Sequence, residues 1–518
     1  MPFYPRFSMK LGITTPVPFV SQRSRAALPA RSLLRACLLG AVMGAHVACG
    51  STDDALDLGT RRELFVDRYL IERLEGVDLR LHAPQPVGVA LRLDRPWEGI
   101  VSGYVTVIHE PAAGKYHLYY RGRPSVTAAD ASAEAHEVTC YAQSSDGIRW
   151  TRPELGLFEV CGTLSNNVVL TEPKNVTHNL CPFLDARPGV PARERFKAVG
   201  GTGAAGLFGF VSPDGIHWRP VRPQALITEG AFDSQNVVFW SEAEQCYVCY
   251  FRTWKHNVRW ITRTTSPDFL AWSTPEDMSF GDTPPEHLYI NQTQPYFRAP
   301  HIYLATAARF NPGRQALTDE QVRGLDLENP RNYGGLKGDC SDAVLLSSRG
   351  GTRYDRTFLE SFIRPGMDER NWVARANYPA LGIVPTGPAE LSLYVLRHYG
   401  QPSIHLERLV LRTDGFVSVH APHRGGEFIT KPLRFSGKEL ELNFASSAAG
   451  GLRVEVQDAN GQALPGYTLA ECGELIGDQI ARVVRWKGGR DLSALAGRVV
   501  RLRFALQDAD LYSLRFRP

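Results

Sequence analysis

Apolar and polar residues alternate with a period of two in the C-terminal part of the chain. The clearest stretches are Leu440-Glu-Leu-Asn-Phe444, Leu452-Arg-Val-Glu-Val456 and Leu502-Arg-Phe-Ala-Leu506. Successive side chains of a strand point to opposite faces, so this period predicts strands with one buried face and one wet face. Turn sequences such as Asp458-Ala-Asn-Gly461 separate these stretches. Residues 416–518 are therefore predicted to form a β-sandwich.

A repeated turn sequence marks the strands that precede this region. It reads Ser144-Ser-Asp-Gly-Ile-Arg-Trp150, Ser212-Pro-Asp-Gly-Ile-His-Trp218 and Ser266-Pro-Asp-Phe-Leu-Ala-Trp272, with degenerate copies at 347–354 and 412–416. Asp-Gly supplies the positive φ angles of a tight hairpin turn. The first three aspartates are 68 and 54 residues apart, which leaves room for four strands per copy. Five copies predict an all-β fold in which a five-bladed β-propeller over residues 61–415 is followed by the sandwich.

The tryptophans of the repeat are predicted to pack between blades, because they recur with the turn. One short helix is expected, since Thr318-Asp-Glu-Gln321 has the pattern of a capping box and opens a helix through Leu325. The segment Gly201-Thr-Gly-Ala-Ala-Gly206 matches the glycine pattern of a dinucleotide site. It leads into an apolar strand and not into a helix, so we interpret it as a hairpin.

The first 49 residues have the composition of an export signal. They hold six basic residues and no acidic one, and the apolar run at 36–48 is too short to span a bilayer. The sequence around Cys49 is similar to a bacterial lipoprotein cleavage site, and simple secretion is the alternative. Residues 1–50 are thus predicted to be a leader and linker. We expect export to the periplasm, the cell envelope or the medium, with a membrane contact only through a lipid anchor at Cys49.

Charge and cysteine usage narrow the classes of function. Without the leader, 52 basic residues stand against 54 acidic residues, so nucleic-acid binding has no support from net charge and is not expected. Cys246 and Cys249 lie on a predicted strand, where a spacing of three points their side chains to opposite faces. A second ligand pair at a zinc spacing is not found in the sequence. We therefore predict no metal and no cofactor.

Five blades of this type followed by a sandwich resemble the furanosidase-like glycoside hydrolases of families 32, 43 and 68. The nearest local match is Gly114-Lys-Tyr-His-Leu-Tyr-Tyr-Arg121, which is similar to the Gly-x-Tyr-His-Leu-Phe-Tyr strand of family 32. More broadly, residues 61–518 resemble exported bacterial proteins described as family-32-like. The resemblance implies a carbohydrate substrate and an active site at one mouth of the channel. It also implies acids near the starts of the innermost strands of blades 1, 2 and 3.

Hydrolysis of a glycosidic bond uses one carboxyl group as the acid and another as nucleophile or base. The resemblance points to Glu98 as base or nucleophile, with Asp94 in reserve, and to Asp233 as general acid. Where the family has an aspartate in blade 2, this chain has His178 and Asn179, and Glu286 is the second-choice acid. The candidate sugar-binding residues are polar or aromatic groups expected in the channel: Tyr104, His178, Asn179, Gln235, Asn236, Asn291, Gln294, Arg298 and Asn377.

Three functions remain open at this point. An exported glycoside hydrolase predicts that Glu98 and Asp233 face each other around a pit that holds a sugar ring. A non-catalytic glycan-binding lipoprotein is favoured by the neutral pair in blade 2. A sialidase, suggested by the turn sequence, needs three arginines around the sugar carboxylate and usually six blades. For the polar channel residues, packing inside the channel is the alternative to sugar binding.

Overall fold

The computed structural model describes residues 55–124, 137–327 and 336–518, and these residues form strands almost throughout. The predicted leader, with Cys49, lies outside the described residues. Within the described ranges, no helix is long and apolar enough to cross a bilayer. The N-terminal strands are β1 (Leu56–Gly59), β2 (Arg62–Leu64), β3 (Ile71–Glu75), β4 (Asp78–Leu81) and β5 (Gln85–Arg92).

Five separate sheets form the five blades of the propeller. Blade 1 contains β6 (Gly103–Glu110), β7 (Lys115–Gly122), β8 (Val138–Ser144) and β9 (Val168–Leu170). Blade 2 contains β10 (Cys181–Leu184), β11 (Phe196–Gly200), β12 (Phe208–Ser212) and β13 (Arg219–Pro220). Blade 3 contains β14 (Val237–Ser241), β15 (Cys246–Lys255), β16 (Val258–Ser266) and β17 (Glu276–Asp277). The predicted fold class is confirmed by the two further blades described next.

Blade 4 contains β18 (Leu288–Tyr296), β19 (Ala299–Asn311) and β20 (Cys340–Ser348). Blade 5 contains β21 (Val384–Gly387), β22 (Glu390–Arg397) and β23 (His405–Arg412), and its outer strand is the N-terminal β5. Strand β5 pairs antiparallel with β23, so the last blade holds strands from both ends of the propeller sequence. The first strand of blade 5 contacts the first strand of blade 1, which closes the blades into a ring.

The repeated turn occurs once per blade, as predicted, and it follows the third strand each time. In blade 1, the hydroxyl of Ser144 donates to Oδ1 of Asp146 at 2.8 Å, and the backbone N–H groups of Ile148 and Arg149 donate to the same oxygen. The turns after β12 and β16 repeat these bonds around Asp214 and Asp268. The side chain of the aspartate therefore fixes the turn through backbone bonds that do not depend on the neighbouring blade.

The tryptophans of the turns lie between blades. Trp150 of blade 1 packs edge-on against Tyr394 of blade 5, with ring centroids 5.9 Å apart, and Trp218 of blade 2 packs on Tyr119 of blade 1 at 6.1 Å. Trp272 packs on Phe269 within a cluster that also contains side chains of blade 2. The predicted role in inter-blade packing is thus confirmed.

The remaining strands form one ten-stranded sheet folded around its own core. Six of its ten strands follow the propeller in the sequence: β24 (Val417–Ala421), β25 (Gly426–Thr430), β26 (Leu433–Phe435), β27 (Glu439–Asp458), β28 (Asp478–Val483) and β29 (Val500–Arg517). The predicted inward residues are all buried: Leu440, Leu442, Phe444, Leu452, Val454, Val456, Leu502, Phe504 and Leu506. The period-two pattern therefore identified the core of the predicted sandwich, but Glu441 and Asn443, predicted to face water, are also buried.

The structure differs from the predicted boundary at residue 61. Strands β1 to β4 belong to the sandwich sheet, because they pair with β26, β29, β25 and β24, respectively. The propeller begins only at β5. The sandwich is thus made from both ends of the described chain, and such long-range pairing leaves no local signal in short strands.

The two irregular segments have the structures predicted for them. Helix α2 (Asp319–Gly324) is opened by a capping box in which Thr318 and Gln321 exchange hydrogen bonds. The segment 201–206 connects β11 to β12 as a hairpin. Helix α1 (Lys174–Thr177), which the sequence analysis did not predict, precedes the first strand of blade 2.

A buried polar junction joins the propeller to the sandwich. Arg62 of β2 binds Asp414, in the turn after blade 5, at 3.3 Å and Glu441 of β27 at 2.6 Å. Asp414 also accepts a hydrogen bond from Ser513 at 2.7 Å and lies 3.2 Å from Arg298. Arg298 was predicted to bind sugar in the channel. The structure places it at this junction, where the buried charge of Asp414 holds it.

Candidate functional site

A cavity of about 850 Å³ opens at one end of the propeller channel. All five blades line it: Tyr104 starts β6, His178 and Asp233 precede β10 and β14, Tyr289 starts β18 and Tyr378 precedes β21. These are the starts of the innermost strands, where the sequence analysis expected the site. The other lining residues are Gly103, Arg121, Arg123, Glu137, Lys174, Asn175, Thr202, Gly203, Arg375, Leu396 and Tyr399.

His178 lies between two carboxylates on the wall of this cavity. Its Nδ1 is 2.7 Å from Oε2 of Glu137, and its Nε2 is 3.1 Å from Oδ1 of Asp233. Glu137 is buried, whereas the side chain of Asp233 is 58% exposed. Two hydrogen bonds between an imidazole and two carboxyl groups require two protons. The three groups therefore form a chain along which a proton can move, and Asp233 is its exposed end.

Both carboxyl groups are held in the ionised form. Burial raises the pKa of Asp233. The hydrogen bond and charge of His178, together with the charges of Arg252 and Arg121, outweigh burial and lower this pKa below its ordinary value. Burial likewise opposes the ionised form of Glu137, whose pKa is lowered by the His178 hydrogen bond and by the charges of Arg121, His178 and Arg123. His178 is in hydrogen-bond contact with Asp233, which places a proton donor next to this carboxylate.

Arg121 and Tyr104 form the adjoining wall of the cavity. The Arg121 guanidinium lies 4.7 Å from the ring centroid of Tyr104, and its Nη1 is 3.3 Å from Nε2 of His178. Tyr104 has a φ of +51°, at a point where the register between β6 and β7 shifts. Residues held in this left-handed region store strain that is often found at functional sites. Burial, with nearby Tyr289 and Asp233, raises the pKa of Tyr104, so its phenol is neutral.

A further part of the cavity lining is aromatic. The rings of Tyr289 and Tyr378 are 5.2 Å apart, and Tyr399 lines the cavity beside them. Burial and the neighbouring Tyr289 raise the pKa of Tyr378, and its buried hydroxyl has no hydrogen-bond partner among the described residues. Arg375, at a φ of +61°, faces this wall with its guanidinium 5.9 Å from the Tyr289 ring centroid. Neutral phenols of this kind suit the hydroxyl groups and apolar faces of a sugar.

Three of the predicted site residues meet in the cavity, namely Asp233, His178 and Tyr104. Glu98 does not. Its carboxylate is 0% exposed and accepts hydrogen bonds from the Tyr120 hydroxyl at 2.6 Å, the Arg152 Nε at 2.7 Å and the Arg95 backbone at 2.8 Å. The predicted arrangement of Glu98 facing Asp233 is thus replaced by an ion pair inside blade 1. The local reason is Arg152, which the turn after β8 brings against Glu98.

The two other predicted acids are also held by arginines away from the cavity lining. Asp94 is a surface carboxylate 3.6 Å from Arg152. Glu286 binds Arg309 at 3.1 Å and Arg356 at 2.6 Å.

A ring of buried polar side chains lies further along the inner strands. Nε2 of Gln235 donates to the Thr106 hydroxyl at 2.8 Å, and its Oε1 accepts from Gln292 at 2.6 Å. Gln292 also donates to the carbonyl of Pro379. Gln235, predicted to bind sugar, therefore belongs to a polar plug that ties four blades together.

The predicted amide residues have structural partners instead of facing the cavity. Asn179 donates to the carbonyls of Gly201, Phe232 and Ser234, so it fixes the loops around Asp233. The side-chain amide nitrogens of the other asparagines donate to a backbone carbonyl or a tyrosine hydroxyl. These residues are Asn236, Asn291 and Asn377. Gln294 is half-buried and does not line the cavity. For the four asparagines, the alternative of polar packing describes what the structure shows.

Several residues that line the cavity were missed by the sequence analysis. Arg121 ends the strand motif of blade 1, and its position there was a usable signal. Glu137 follows a segment without strand pattern, and Arg375 and Tyr378 lie in a long irregular connection before β21. Among the described residues, no group of three or more His, Cys, Asp and Glu side chains could hold a metal ion.

No family model and no curated protein matches the chain. Similar solved structures include an N-acetylgalactosamine deacetylase from F. plautii in complex with blood group B trisaccharide, with 13% identity over 65% of this chain and 96% of that chain and a TM-score of 0.42. A fructofuranosidase from Schwanniomyces occidentalis complexed with fructosylnystose has 10% identity over 84% and 99%, with a TM-score of 0.36. A glycosyl hydrolase from Bacteroides ovatus has 12% identity over 69% and 94%, with a TM-score of 0.34. Similarities at this level do not assign a reaction to this chain, whose chemistry depends on the side chains that line its cavity.

Proposed function

We propose that the protein is a glycoside hydrolase whose reaction takes place in the propeller cavity. The observation that carries the proposal is the hydrogen-bonded chain Glu137–His178–Asp233, in which a buried carboxylate orients an imidazole against an exposed carboxylate. General acid–base catalysis uses such chains, because the buried group fixes the imidazole and the exposed group meets the substrate. Neutral tyrosine hydroxyls around Asp233 supply hydrogen bonds to a sugar.

The reaction follows from the positions of the protons. The proton on Nε2 of His178 crosses 3.1 Å to Asp233, which passes it to the glycosidic oxygen as the bond to the anomeric carbon breaks. The electron pair of that bond leaves with the oxygen. Water adds to the anomeric carbon, and the proton it loses returns through Asp233 to His178. Glu137 stays ionised and stabilises the imidazolium form of His178, so its role is to position and to balance charge.

The leader supports the further proposal that the protein works outside the cytoplasm, as a lipoprotein or a secreted enzyme. Its basic residues followed by a short apolar run are typical of export signals. An exported hydrolase would meet plant or algal oligosaccharides in the environment of the cell.

Asp233→Asn and Asp94→Asn form a matched pair for testing the hydrolase. Both aspartate side chains are 58% exposed and both lie near an arginine, but only Asp233 lines the cavity. On a panel of plant and algal oligosaccharides, with reducing-end release as the assay, we expect Asp233→Asn to lower turnover by about 10²–10⁴-fold. Asp94→Asn is expected to retain wild-type turnover. Equal turnover in the wild type and Asp233→Asn contradicts the proposal.

A non-catalytic glycan-binding protein is the second candidate. It is favoured by one observation: in the described part of the chain, Glu137 and Asp233 are the carboxylates that line the cavity, and both lie on His178. A second carboxylate on the opposite face of the sugar, as in the two-carboxylate mechanism, is not among the described lining residues. Sugar binding by calorimetry without turnover on the whole panel would establish this candidate.

The sialidase alternative receives mixed evidence. Five blades count against it, but three arginines do line the cavity, namely Arg121, Arg123 and Arg375. These three arginines give the described lining of the cavity positive charge, whether or not the ligand is a sialic acid.

A further inference from the structure

Among the described residues that line the cavity, cationic side chains outnumber anionic ones. The cations are Arg121, Arg123, Lys174 and Arg375, and the described anions are Glu137 and Asp233. The chain outside the leader is close to neutral, with 52 basic and 54 acidic residues, so this excess is local. A concave site with charge of one sign concentrates its electric field and attracts ligands of the opposite sign.

A second layer of arginines strengthens the positive field. Arg252 lies 3.7 Å from Asp233 and 5.2 Å from the Tyr289 ring centroid. Arg259 lies 4.7 Å from the same centroid, and burial together with the charges of Arg252 and Arg375 lowers its pKa. Both guanidinium groups therefore lie beside the ring of Tyr289, which is part of the aromatic wall.

The two carboxylates are already shared among several of these cations. Glu137 lies 3.8 Å from Arg121 and 3.9 Å from Arg123, in addition to its bond with His178. Asp233 is shared by His178 and Arg252. Lys174 is exposed at the rim and pairs with no carboxylate within the described residues. The described lining residues therefore carry more positive than negative charge when these ion pairs are counted.

We propose that the saccharide bound in this cavity carries an anionic group, the carboxylate of a uronic acid or a sulfate ester, and that Arg375, Arg123 and Lys174 bind it. The inference rests on the cavity being the carbohydrate site of the proposed function. The planar guanidinium presents two parallel N–H groups to a carboxylate or sulfate, and an exposed lysine adds a mobile charge at the rim. The tyrosine wall then packs on the sugar ring that carries the anionic group.

Matched sugars that differ only in the charged group test this inference. The pairs are trigalacturonate with galactotriose, glucuronate with glucose, and galactose 6-sulfate with galactose, each titrated by calorimetry into the full chain. We expect an anionic member to bind at least about tenfold more tightly than its neutral counterpart, with the difference shrinking as NaCl is raised from about 0.01 M to 1 M. The uronate pairs and the sulfate pair distinguish the two sources of charge.

Variants of the cations complete the test. Lys174→Gln and Arg375→Gln are expected to reduce the preference for the anionic sugar severalfold, and Lys174→Gln keeps the test valid if Arg375→Gln fails to fold. Arg149→Gln is the control, because Arg149 is 88% exposed on the turn after β8 and does not line the cavity. It is expected to keep the wild-type preference.

The outcomes separate this inference from the proposed hydrolase. If no anionic member of any pair binds more tightly than its neutral partner, the inference is wrong, even if neutral glycans are cleaved. If anionic sugars are preferred but the wild type cleaves no member of the oligosaccharide panel, the inference holds and the hydrolase is wrong. An anion preference that is unchanged in both Lys174→Gln and Arg375→Gln also overturns the inference.

Discussion

Glu98→Gln separates a structural carboxylate from a catalytic one. The side chain of Glu98 is 0% exposed, and its two oxygens accept hydrogen bonds from Tyr120, from the backbone of Arg95 and twice from Arg152, at 2.7 and 3.1 Å. Glutamine keeps the shape of the side chain but removes the negative charge. Arg152 then loses the carboxylate that neutralises its charge. In addition, one of the groups that donated a hydrogen bond to Glu98 faces an amide N–H₂ group, which cannot accept a hydrogen bond.

The size of the effect follows from these contacts. Breaking a buried ion pair by removing one partner costs about 3–5 kcal/mol, because the other charge is left uncompensated. Arg152 retains some exposure, so we expect the low end, a loss of about 3 kcal/mol in the free energy of unfolding. Glu75→Gln provides the comparison, since both members of the Arg73–Glu75 pair are exposed and the pair is expected to contribute at most about 1 kcal/mol.

Chemical denaturation followed by fluorescence measures this difference, and reducing-end release measures turnover of the same samples. The double variant Glu98→Gln/Arg152→Gln is expected to lose less than the sum of the single variants, because both charges are removed together. Turnover per folded molecule should stay near the wild-type value. If Glu98→Gln instead keeps its stability and abolishes turnover, Glu98 is the catalytic base or nucleophile and the account of the ion pair is wrong.

Two further predictions concern the other buried charges. His178 and Arg121 lower the pKa of Glu137 below its ordinary value of 4.5 against the effect of burial, so its stabilisation is complete above pH 4.5 and is lost as the pH falls through the folded-state pKa. The difference in melting temperature between the wild type and Glu137→Gln should therefore shrink below pH 4.5, and a constant difference from pH 7 to pH 3 contradicts this reasoning. Arg62→Gln leaves Asp414 and Glu441 without their shared buried cation and is expected to cost about 3 kcal/mol in chemical denaturation. Arg61→Gln, at an exposed neighbouring position, should change stability little, and equal losses for the two variants would refute the role of the junction.

The architecture could be predicted because its signals are local and repeated. The turn around Asp146, Asp214 and Asp268 is fixed by bonds within a few residues, so its copies count the blades directly. The alternation around Leu440 and Leu502 likewise identified the residues that face the sandwich core. The pairing of the N-terminal strands β1, β2, β3 and β4 with the sandwich sheet could not be predicted. Their partner strands lie more than 300 residues away along the chain.

The roles of the acids could not be predicted for a related reason. Glu98 and Asp233 both precede an innermost strand, and the sequence treats them alike. The structure separates them through partners from distant segments, since Arg152 comes from the turn after β8 and His178 from the connection before β10. An arginine that saturates a carboxylate makes it structural, whereas an imidazole that shares protons with it makes it a candidate for proton transfer.

The depth of a residue along the channel determines whether its side chain lines the cavity or is buried in the polar plug. Tyr104 and Asp233 line the cavity, whereas Thr106 and Gln235, two positions further along the same segments, are buried in the plug. Residues two apart on a strand share a face, so the period-two pattern identifies which residues point to the channel but not how deep each one lies. That depth is set by where each strand begins relative to its neighbours, as the bulge at Tyr104 shows. Sequence reasoning therefore found Asp233 together with Gln235, and only the arrangement of all five blades distinguishes the two.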